Sequence, residues 1–582
     1  MGTGWLFVVY GGLLLGMSYL IVVPLLPLLA ALFVWVTGPR LRDRGARLGV
    51  LPVVAAFAGA VVTLVLVSSQ GPISVRLYEP GAAANLALPI GFYFDRLSAV
   101  MMTLIALVGT IIYLYSTGYM YQDRGYHRYL GLIAFTTFVL LCMVSSANLM
   151  MLFVFWQILS WLLFLLAHNH THTATLEGAY KTFTLLRVGD AAFLAGIVLA
   201  HTLYGTIEFQ ELFVRAAATP VILSPLPGLE ISGATAVTLL IFVGAMSKSA
   251  QFPIHIWLPS SLYAPTPVHA LLHAGIINAG GFLLNRLAPL YGLSSTTLHV
   301  VFVVGMLTAV LGASMMLVQN DIKKTLGFST IGQMGYMIME CGLGAFALAV
   351  FHLIAHGLFK ATVFLNCGNV IHQVRQEPAS PHARHAVEEH ELPRLTWATG
   401  FLTTLLLPLV ILLVTHGVLR IPLLESQGTV IFLFFIWITS SQAILTLTRL
   451  RAVASWKVSV AMLLTLLFVV FTYLFAAEAF THFLYPDPRE VAFYFQAAAL
   501  PGRLFDGLVI GTTLLTVLGW VYLYAQAHGR TMPIPAWVQA LRVRLYMLLM
   551  NRLYIDGLHA RLGQWIMRAA HSLDKRSSGR LW

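Results

Sequence analysis

The sequence is short of charged residues. Asp, Glu, Lys and Arg make up only 10% of its 582 residues, whereas a soluble globular domain is about one quarter charged. Hydrophobic residues account for 59%, and apolar runs long enough to cross a bilayer recur from end to end of the chain. This composition excludes an ordinary soluble protein. It predicts an all-α, polytopic membrane helix bundle that has the lipid bilayer as a partner.

Cysteine is scarce as well. The three cysteines, Cys142, Cys341 and Cys367, lie in apolar segments and show neither CxxC nor metal-ligand spacing. Buried packing is therefore expected, rather than a disulfide or a metal site. We therefore expect no cofactor, metal or redox centre in this chain.

The apolar runs predict about fifteen membrane spans. Each run can supply a helix of roughly 20 residues, the length that crosses the hydrocarbon core. The approximate centres of the predicted spans lie near residues 26, 58, 108, 138, 157, 193, 243, 276, 308, 336, 358, 407, 438, 468 and 516.

Basic residues are sparse in some loops and collected in others. They follow the first, third, ninth and thirteenth predicted spans, as at Arg40, Arg128, Lys324 and Arg451. Loops rich in Lys and Arg stay on the cytoplasmic side, so an odd number of spans places the N-terminus outside and the C-terminus in the cytoplasm. The formal net charge of +12 follows from this topology, and no nucleic-acid partner is predicted.

One lysine interrupts the apolar pattern. In "FVGAMSKSAQFPIHIWLP", Lys248 lies at membrane depth, where a charge costs about 2.5 to 3.5 kcal/mol on insertion scales, and Pro253 follows shortly after it. Proline removes a backbone hydrogen bond and clashes with the preceding turn, so a helix break is predicted here. Interrupted helices at this depth form ion sites in transporters. The alternative is a lysine that snorkels to the membrane surface beside a packing kink.

Histidines recur at helical spacing farther along the chain. His352, His356 and Lys360 are spaced i, i+4, i+8, which places them on one helix face and indicates a proton relay. A metal site is the disfavoured alternative, because no acidic or thiol third ligand accompanies them. His269 and His273 repeat the i, i+4 spacing, and two hydrogen-bonded core histidines are the alternative there.

Carboxylates inside the predicted spans are rarer still. Asp190 follows Arg187 by three residues, and we expect it to stabilise a charged Lys248 across a helix interface. Asp95 lies at the start of a span and indicates a helix end or a structural ion pair. Glu478 lies near a span end, and no role is predicted for it.

Six stretches of the sequence resemble the large antiporter-like subunits shared by respiratory complex I and the Mrp cation/proton antiporters. They are "MSKSAQFPIHIWLP", "PTPVHALLHAG", "VQNDIKKTLGFSTIGQMGYM", "FHLIAHGLFKATVFL", "FDRLSAVMM" and "LRVGD". The resemblance runs over roughly residues 90 to 375. It implies two inverted five-helix repeats, each with a broken helix that forms a half-channel, and a central polar axis that passes protons.

The resemblance also implies roles for individual residues. Lys248 is the broken-helix lysine of the first half-channel, and Asp190 is its carboxylate neighbour. His273 is the histidine on the following helix, and Lys323 is the entry lysine of the second half-channel. His352, His356 and Lys360 form the central relay. The implied organisation is N-terminal transmembrane helices (1–129), an antiporter-like core (130–425), C-terminal transmembrane helices (426–530) and a cytoplasmic basic amphipathic tail (531–582).

Three departures from that family are visible. Gln157 occupies the position where the complex I subunit has a glutamate, and it cannot carry a charge. The expected second broken helix, "ATGFLTTLLLPLVILLVTHGVLRIP", has no lysine or acid, only Pro408 and His416 in their place. The chain end supplies a basic amphipathic tail instead of a long lateral helix. The tail is predicted to lie on the membrane face or to cover a partner, and a simple surface anchor is the alternative.

With these departures, the sequence most resembles the membrane subunits of bacterial DAB inorganic-carbon accumulation systems. That resemblance implies a multi-pass protein of the bacterial inner membrane. It also implies a DabA-like cytoplasmic partner, which would hold a zinc ion and convert CO2 to bicarbonate as ions flow through this chain. One alternative is a proton-pumping subunit of a complex I-like NADH:quinone oxidoreductase or an Mrp-type antiporter. Another is a membrane scaffold with vestigial ion sites.

Overall fold

Helices dominate the protein. The computed structural model describes residues 3–41, 43–78, 89–123, 125–167, 173–261, 264–376, 464, 471–472, 474–527 and 536–578. Its first sixteen helices are α1 (Thr3–Leu41), α2 (Asp43–Leu48), α3 (Val50–Gln70), α4 (Arg96–Tyr119), α5 (Tyr126–Val144), α6 (Leu149–Ala167), α7 (Thr173–Tyr204), α8 (Phe209–Ala218), α9 (Gly233–Lys248), α10 (Trp257–Ser260), α11 (Thr266–Leu271), α12 (Ala279–Arg286), α13 (Ala288–Tyr291), α14 (Ser295–Leu317), α15 (Ile322–Gly342) and α16 (Phe346–Gln376). Further helices follow at Leu474–Leu484, Pro488–Ala498, Gly502–Ala527, Ala536–Met550 and Ile555–Ser578.

The helices agree in position with the predicted spans. A helix lies at twelve of the fifteen predicted centres, and the centres near 407, 438 and 468 fall outside the described residues. Nine helices within the described ranges are long and apolar enough to cross a membrane. The second predicted broken helix, with Pro408 and His416, also lies outside the described part of the chain.

Two short β-hairpins correct the all-α prediction. Strand β1 (Ile73–Tyr78) pairs antiparallel with β2 (Ile90–Phe94), and β3 (Ile222–Leu226) pairs with β4 (Leu229–Ser232). Both hairpins lie in segments that hydropathy assigns to loops, because four to six residues are too few to register as a span. Their β-branched and aromatic residues favour a pleated, half-buried strand.

The ends of the helices lie on two opposite faces of the bundle. The hairpins and α8 lie together on one face, which we call the hairpin face. Backbone bridges between Phe92 and Ser146 and between Asn148 and Glu208 join its loops. The turns that carry Arg40 to Arg47, Arg128 and Lys324 lie on the opposite face, which we call the basic face.

The centre of the bundle is the discontinuous segment α11–α12. In the most apolar stretch of Thr266–Arg286, 94% of the residues are buried. The corresponding share for Arg44–Gln70, at the edge of the bundle, is 28%. Helices α14 and α15 approach each other with backbones in contact. A Cβ atom added to Gly335 would lie 2.3 Å from the Ala309 nitrogen. Only glycine allows this approach, which is a common device for packing membrane helices.

Candidate ion-translocation site

The α9 break lies where the sequence predicts it. Helix α9 ends at Lys248, and Ala250 adopts a positive φ of 49°. The chain resumes as a short 3-10 turn, Ile254–Ile256, which leads into α10. Pro253 lies between the two pieces and has no N–H to continue the helix. The break therefore leaves Lys248 at the end of a helix inside the bundle.

Helix α6 supplies the surroundings of the Lys248 side chain, which is fully buried. Its Nζ donates to the Trp156 carbonyl oxygen at 3.2 Å and to the Ser160 hydroxyl, and lies 4.9 Å from the centre of the Trp156 ring. Carbonyl, hydroxyl and aromatic π-face are the groups that stabilise an ammonium ion away from water. Snorkelling, the alternative interpretation, does not describe this lysine.

Asp190 reaches Lys248 only through Trp156. The Trp156 indole N–H donates to Asp190 Oδ1 at 2.8 Å, and Asp190 Oδ2 lies 3.0 Å from Arg187 Nη2. Arg187 also donates to the Gln157 side-chain oxygen. Within the described residues, no carboxylate lies within ion-pair distance of Lys248. Of the two cations, Arg187 and Lys248, Asp190 therefore contacts only the arginine directly.

A π-helical turn separates α11 from α12 and carries His273. The turn spans Leu272–Ile276, and such turns occur frequently at functional sites. The His273 ring stacks on Phe364 of α16 with 4.4 Å between ring centres, and the His269 ring lies 6.3 Å from that of His273. Both histidines are fully buried. Neither ring nitrogen of His273 has a hydrogen-bond partner among the described residues.

The predicted relay lies along α16. His352, His356 and Lys360 are each no more than 8% exposed, and the two histidine ring centres are 6.0 Å apart. Lys360 Nζ donates to Ser329 Oγ of α15 at 3.0 Å. The i, i+4, i+8 spacing thus gives one buried polar stripe.

Polar groups connect the break to this stripe. Ser249 Oγ donates to the Ile277 carbonyl oxygen at 2.6 Å, which ties the broken helix to the start of α12. Asn278 follows directly, and a Cβ atom added to Gly357 of α16 would lie 3.5 Å from its Nδ2. Among the described residues, the buried Asn278 Oδ1 has no hydrogen-bond partner. A buried polar route therefore runs from Lys248 past Asn278 towards α16.

Lys323 lies apart from this route. It is partly buried in the first turn of α15 on the basic face, next to Asp321, which caps the helix by accepting from the Lys324 N–H at 3.0 Å. The structure therefore places it at the basic-face end of α15, away from the buried polar groups.

Sequence reasoning missed two buried titratable residues. Glu340, near the end of α15, is 3% exposed, and its Oε2 lies 3.2 Å from His352 Nδ1. His255, in the 3-10 turn after the break, is 2% exposed. The signal for Glu340 was a lone acid in the apolar stretch "YMIMECGLG". Within the described residues, no group of three or more His, Cys, Asp or Glu side chains could hold a metal ion.

Asp95 is a structural residue, as its position predicted. It caps α4 by accepting from the Ser98 N–H, and it forms a two-point ion pair with Arg286 of α12 at 2.6 and 3.1 Å. Glu478, which is partly buried, pairs at 3.0 Å with His482, which is exposed.

Comparison with known proteins identifies the family. Residues 146–440 match the family described as NADH:quinone oxidoreductase/Mrp antiporter, TM, and residues 82–130 match the N-terminus of complex I chain 5. The chain belongs to this family of antiporter-like membrane subunits. It is therefore a multi-pass membrane subunit of an ion-translocating type, as the sequence motifs predicted.

Relatives of two kinds are found in the family. The probable inorganic carbon transporter subunit DabB1 of Halothiobacillus neapolitanus is 39% identical over 94% of this chain and 97% of its own length. NADH-quinone oxidoreductase subunit L of Neisseria meningitidis is 34% identical over 66% of this chain and 58% of its own length. A chain of the Mrp complex from a Dietzia species has the same fold, with a TM-score of 0.56 at 22% identity, and covers 95% of this chain and 60% of that one.

These comparisons confirm the predicted resemblance at both levels. The family match confirms the antiporter-like subunit, and the long alignment with DabB1 confirms the likeness to inorganic-carbon transporter subunits. The chain spans less than two thirds of subunit L and of the Mrp chain, but nearly all of DabB1.

Proposed function

We propose that the chain is the proton-conducting, or more generally cation-conducting, membrane subunit of an inorganic-carbon uptake system. Ion flow down the transmembrane gradient through this chain drives conversion of CO2 to bicarbonate in a DabA-like cytoplasmic partner. The observation that carries the proposal is the alignment with the relative named probable inorganic carbon transporter subunit DabB1, which extends over 97% of that relative. Zinc and the hydration chemistry belong to the partner.

Lys248 is the group that alternately holds and releases the ion's charge. Asp190 is shared between Trp156 and Arg187 in the described arrangement. Drawing Asp190 towards Lys248 favours the protonated lysine, and returning it to Arg187 favours release, because a nearby carboxylate stabilises a buried ammonium ion. Gln157 keeps Arg187 in place without adding a second negative charge.

The released proton moves along buried polar groups. Asn278 and His273 lie between the α9 break and α16, and His356 and Lys360 continue the route. Proton transfer between such groups is direct or passes through one water molecule. The basic face, where Lys323 lies, is the proposed cytoplasmic side, because basic loops stay in the cytoplasm.

Purification of the native complex from its source membrane tests this proposal. We expect a co-purifying cytoplasmic protein with zinc, neither flavin nor iron-sulfur clusters, and carbon uptake that stops when a protonophore collapses the gradient. Flavin and iron-sulfur clusters in the purified complex would instead assign the chain to a redox-driven pump of the complex I type, which its 34% identity to subunit L also allows.

A further inference from the structure

Glu340 occupies one end of the buried relay and is not used by the function proposed above. Its carboxylate is 3% exposed and lies near the end of α15, at the hairpin face. Oε2 lies 3.2 Å from His352 Nδ1, and within the described residues Oε1 has no hydrogen-bond partner. A buried carboxylate oxygen without a partner is costly unless water or an ion reaches it.

A cavity, which we call the vestibule, lies on the hairpin face, at the same end of the bundle as the end of α15 that carries Glu340. Its volume is about 420 Å³, and its lining includes Asp95, Gln210, Asn285, Arg286 and Glu490. One water molecule needs about 10 to 15 Å³ by the same measure. The vestibule can therefore hold many water molecules.

Buried polar atoms in its lining indicate that the vestibule is wet. Arg286 Nε and Asn285 Oδ1 have no hydrogen-bond partner among the described residues, although both side chains are at most 5% exposed. Water molecules are the partners that such atoms ordinarily have. The lining carries two acids, Asp95 and Glu490, and two arginines, Arg96 and Arg286, so its charges balance and the vestibule favours water over a bound anion.

Asn285 connects the vestibule to the helix that carries Glu340. Its Nδ2 donates to the Sγ atom of Cys341 at 3.7 Å, and Cys341 follows Glu340 directly. Gly344, two residues after the end of the same helix, packs so close to the Tyr494 backbone that an added Cβ atom would overlap it, and Tyr494 also lines the vestibule. The vestibule lining therefore contacts α15 at Cys341, the residue next to Glu340.

We infer that Glu340 is the proton port of the hairpin face, and that water in the vestibule supplies it. A proton delivered through vestibule water binds to the Glu340 carboxylate, and rotation of the carboxyl group brings it to Oε2. The carboxylic acid then donates it from Oε2 to Nδ1 of His352 in the Nε2–H tautomer. His352 then releases its Nε2 proton towards His356, which leaves Glu340 ionised and the ring protonated at Nδ1. Proton exchange through water returns the ring to the Nε2–H tautomer before the next transfer. The inference rests on the proposed function and adds to it the route by which protons reach the relay.

Substitution of Glu340 in the native complex, reconstituted in liposomes, tests the port. We expect E340Q to lower proton flux at least about tenfold, and E340D to restore much of it. Glu478 provides a matched control, because it also pairs with a histidine but does not line the vestibule. E478Q should leave the flux within about twofold of the parent.

Lys248→Ala, measured in parallel, separates failure of the port from failure of the proposed function. Normal flux in E340Q with a blocked K248A overturns the port alone. Normal flux in both variants overturns the port and the conduction proposal together.

A thiol probe decides the question if E340Q does not assemble. Gln210→Cys places a thiol in the vestibule. This thiol should react with a membrane-impermeant methanethiosulfonate added on the hairpin side, and its labelling should block the proton flux. Ser74 is exposed on the same face but lies outside the cavity lining. Ser74→Cys should therefore react with the reagent without any effect on the proton flux. If Q210C does not react from that side, or if its labelling leaves the flux unchanged, the vestibule is not a water-filled port.

Discussion

At the scale of single residues, the protein keeps charges inside the bundle by surrounding each with specific groups. Lys248 is stabilised by a carbonyl, a hydroxyl and an aromatic ring, all from α6. Asp95 and Arg286 instead neutralise each other directly. The first arrangement leaves the lysine free to exchange a proton, whereas the second is suited to holding α4 and α12 together.

Asp95→Asn should destabilise the protein by about 3 kcal/mol, because Arg286 would remain buried without its counter-charge. Thermal unfolding of the purified protein in detergent measures the loss. Glu211→Gln is the matched control, since the Glu211–Arg215 pair is about half exposed and such pairs contribute at most about 1 kcal/mol. Equal losses of stability in the two variants would show that the Asp95–Arg286 pair stabilises the fold no more than an exposed pair does.

Sequence reasoning located these residues better than it assigned their partners. Spacing within one helix predicted the α16 stripe, because i, i+4 geometry is local. The link from Asp190 to Lys248 through Trp156 depends on how α6, α7 and α9 pack, which no local pattern encodes. Glu340 was overlooked for the same reason, since its significance comes from His352 on the next helix.

At the scale of helices and turns, the tail docks on the basic face through a strained turn. Arg552, Leu553 and Tyr554 have φ values of 54°, 58° and 56°, and non-glycine residues adopt these only at a cost. Ile555 is buried, and Asp556 forms ion pairs with Lys181 of α7 and, at 3.3 Å, with Arg552. These contacts fix the tail against α7 on the basic face; that it lies on the membrane surface or covers a partner remains a prediction.

Asp556→Asn should release the tail, and limited proteolysis of the residues after 550 measures that release. Burial raises the pKa of the Asp556 carboxyl, but Lys181 and Arg552 together bring it below its ordinary value of 3.8. The contribution to docking is therefore complete above about pH 4 and is lost as the pH falls through the lowered pKa. Tail protection that is constant from pH 5 to 8 agrees with this account. A loss within that range would require a different titrating group.

The contact between α14 and α15 depends on glycine. Gly335→Ala should destabilise the protein by about 1 to 3 kcal/mol, because its Cβ atom would overlap the Ala309 backbone. Gly118→Ala in α4 is the control. No atom lies within 4 Å of its added Cβ, so the change should be neutral or stabilise the helix by about 0.5 to 1 kcal/mol. Thermal unfolding that ranks the two variants in the opposite order would contradict the close packing.

At the scale of the whole molecule, hydropathy and charge predicted most of the architecture. The twelve described centres depend on apolar length alone, and the broken helix depends on proline chemistry, so both could be predicted without tertiary information. The hairpins and the π-turn at His273 are too short to leave a periodic signal. The domain boundaries at 129, 425 and 530 remain predictions.

Proton flux through the purified complex in liposomes, with Lys248→Ala and Lys360→Ala compared with the parent, tests the central claim most directly. Lys324→Ala, in the first turn of α15 on the basic face, is the matched control. If the buried axis conducts, each of the first two variants assembles normally and loses at least about tenfold in flux, while K324A stays within about twofold of the parent. Undiminished flux in correctly assembled K248A and K360A would contradict conduction along this axis.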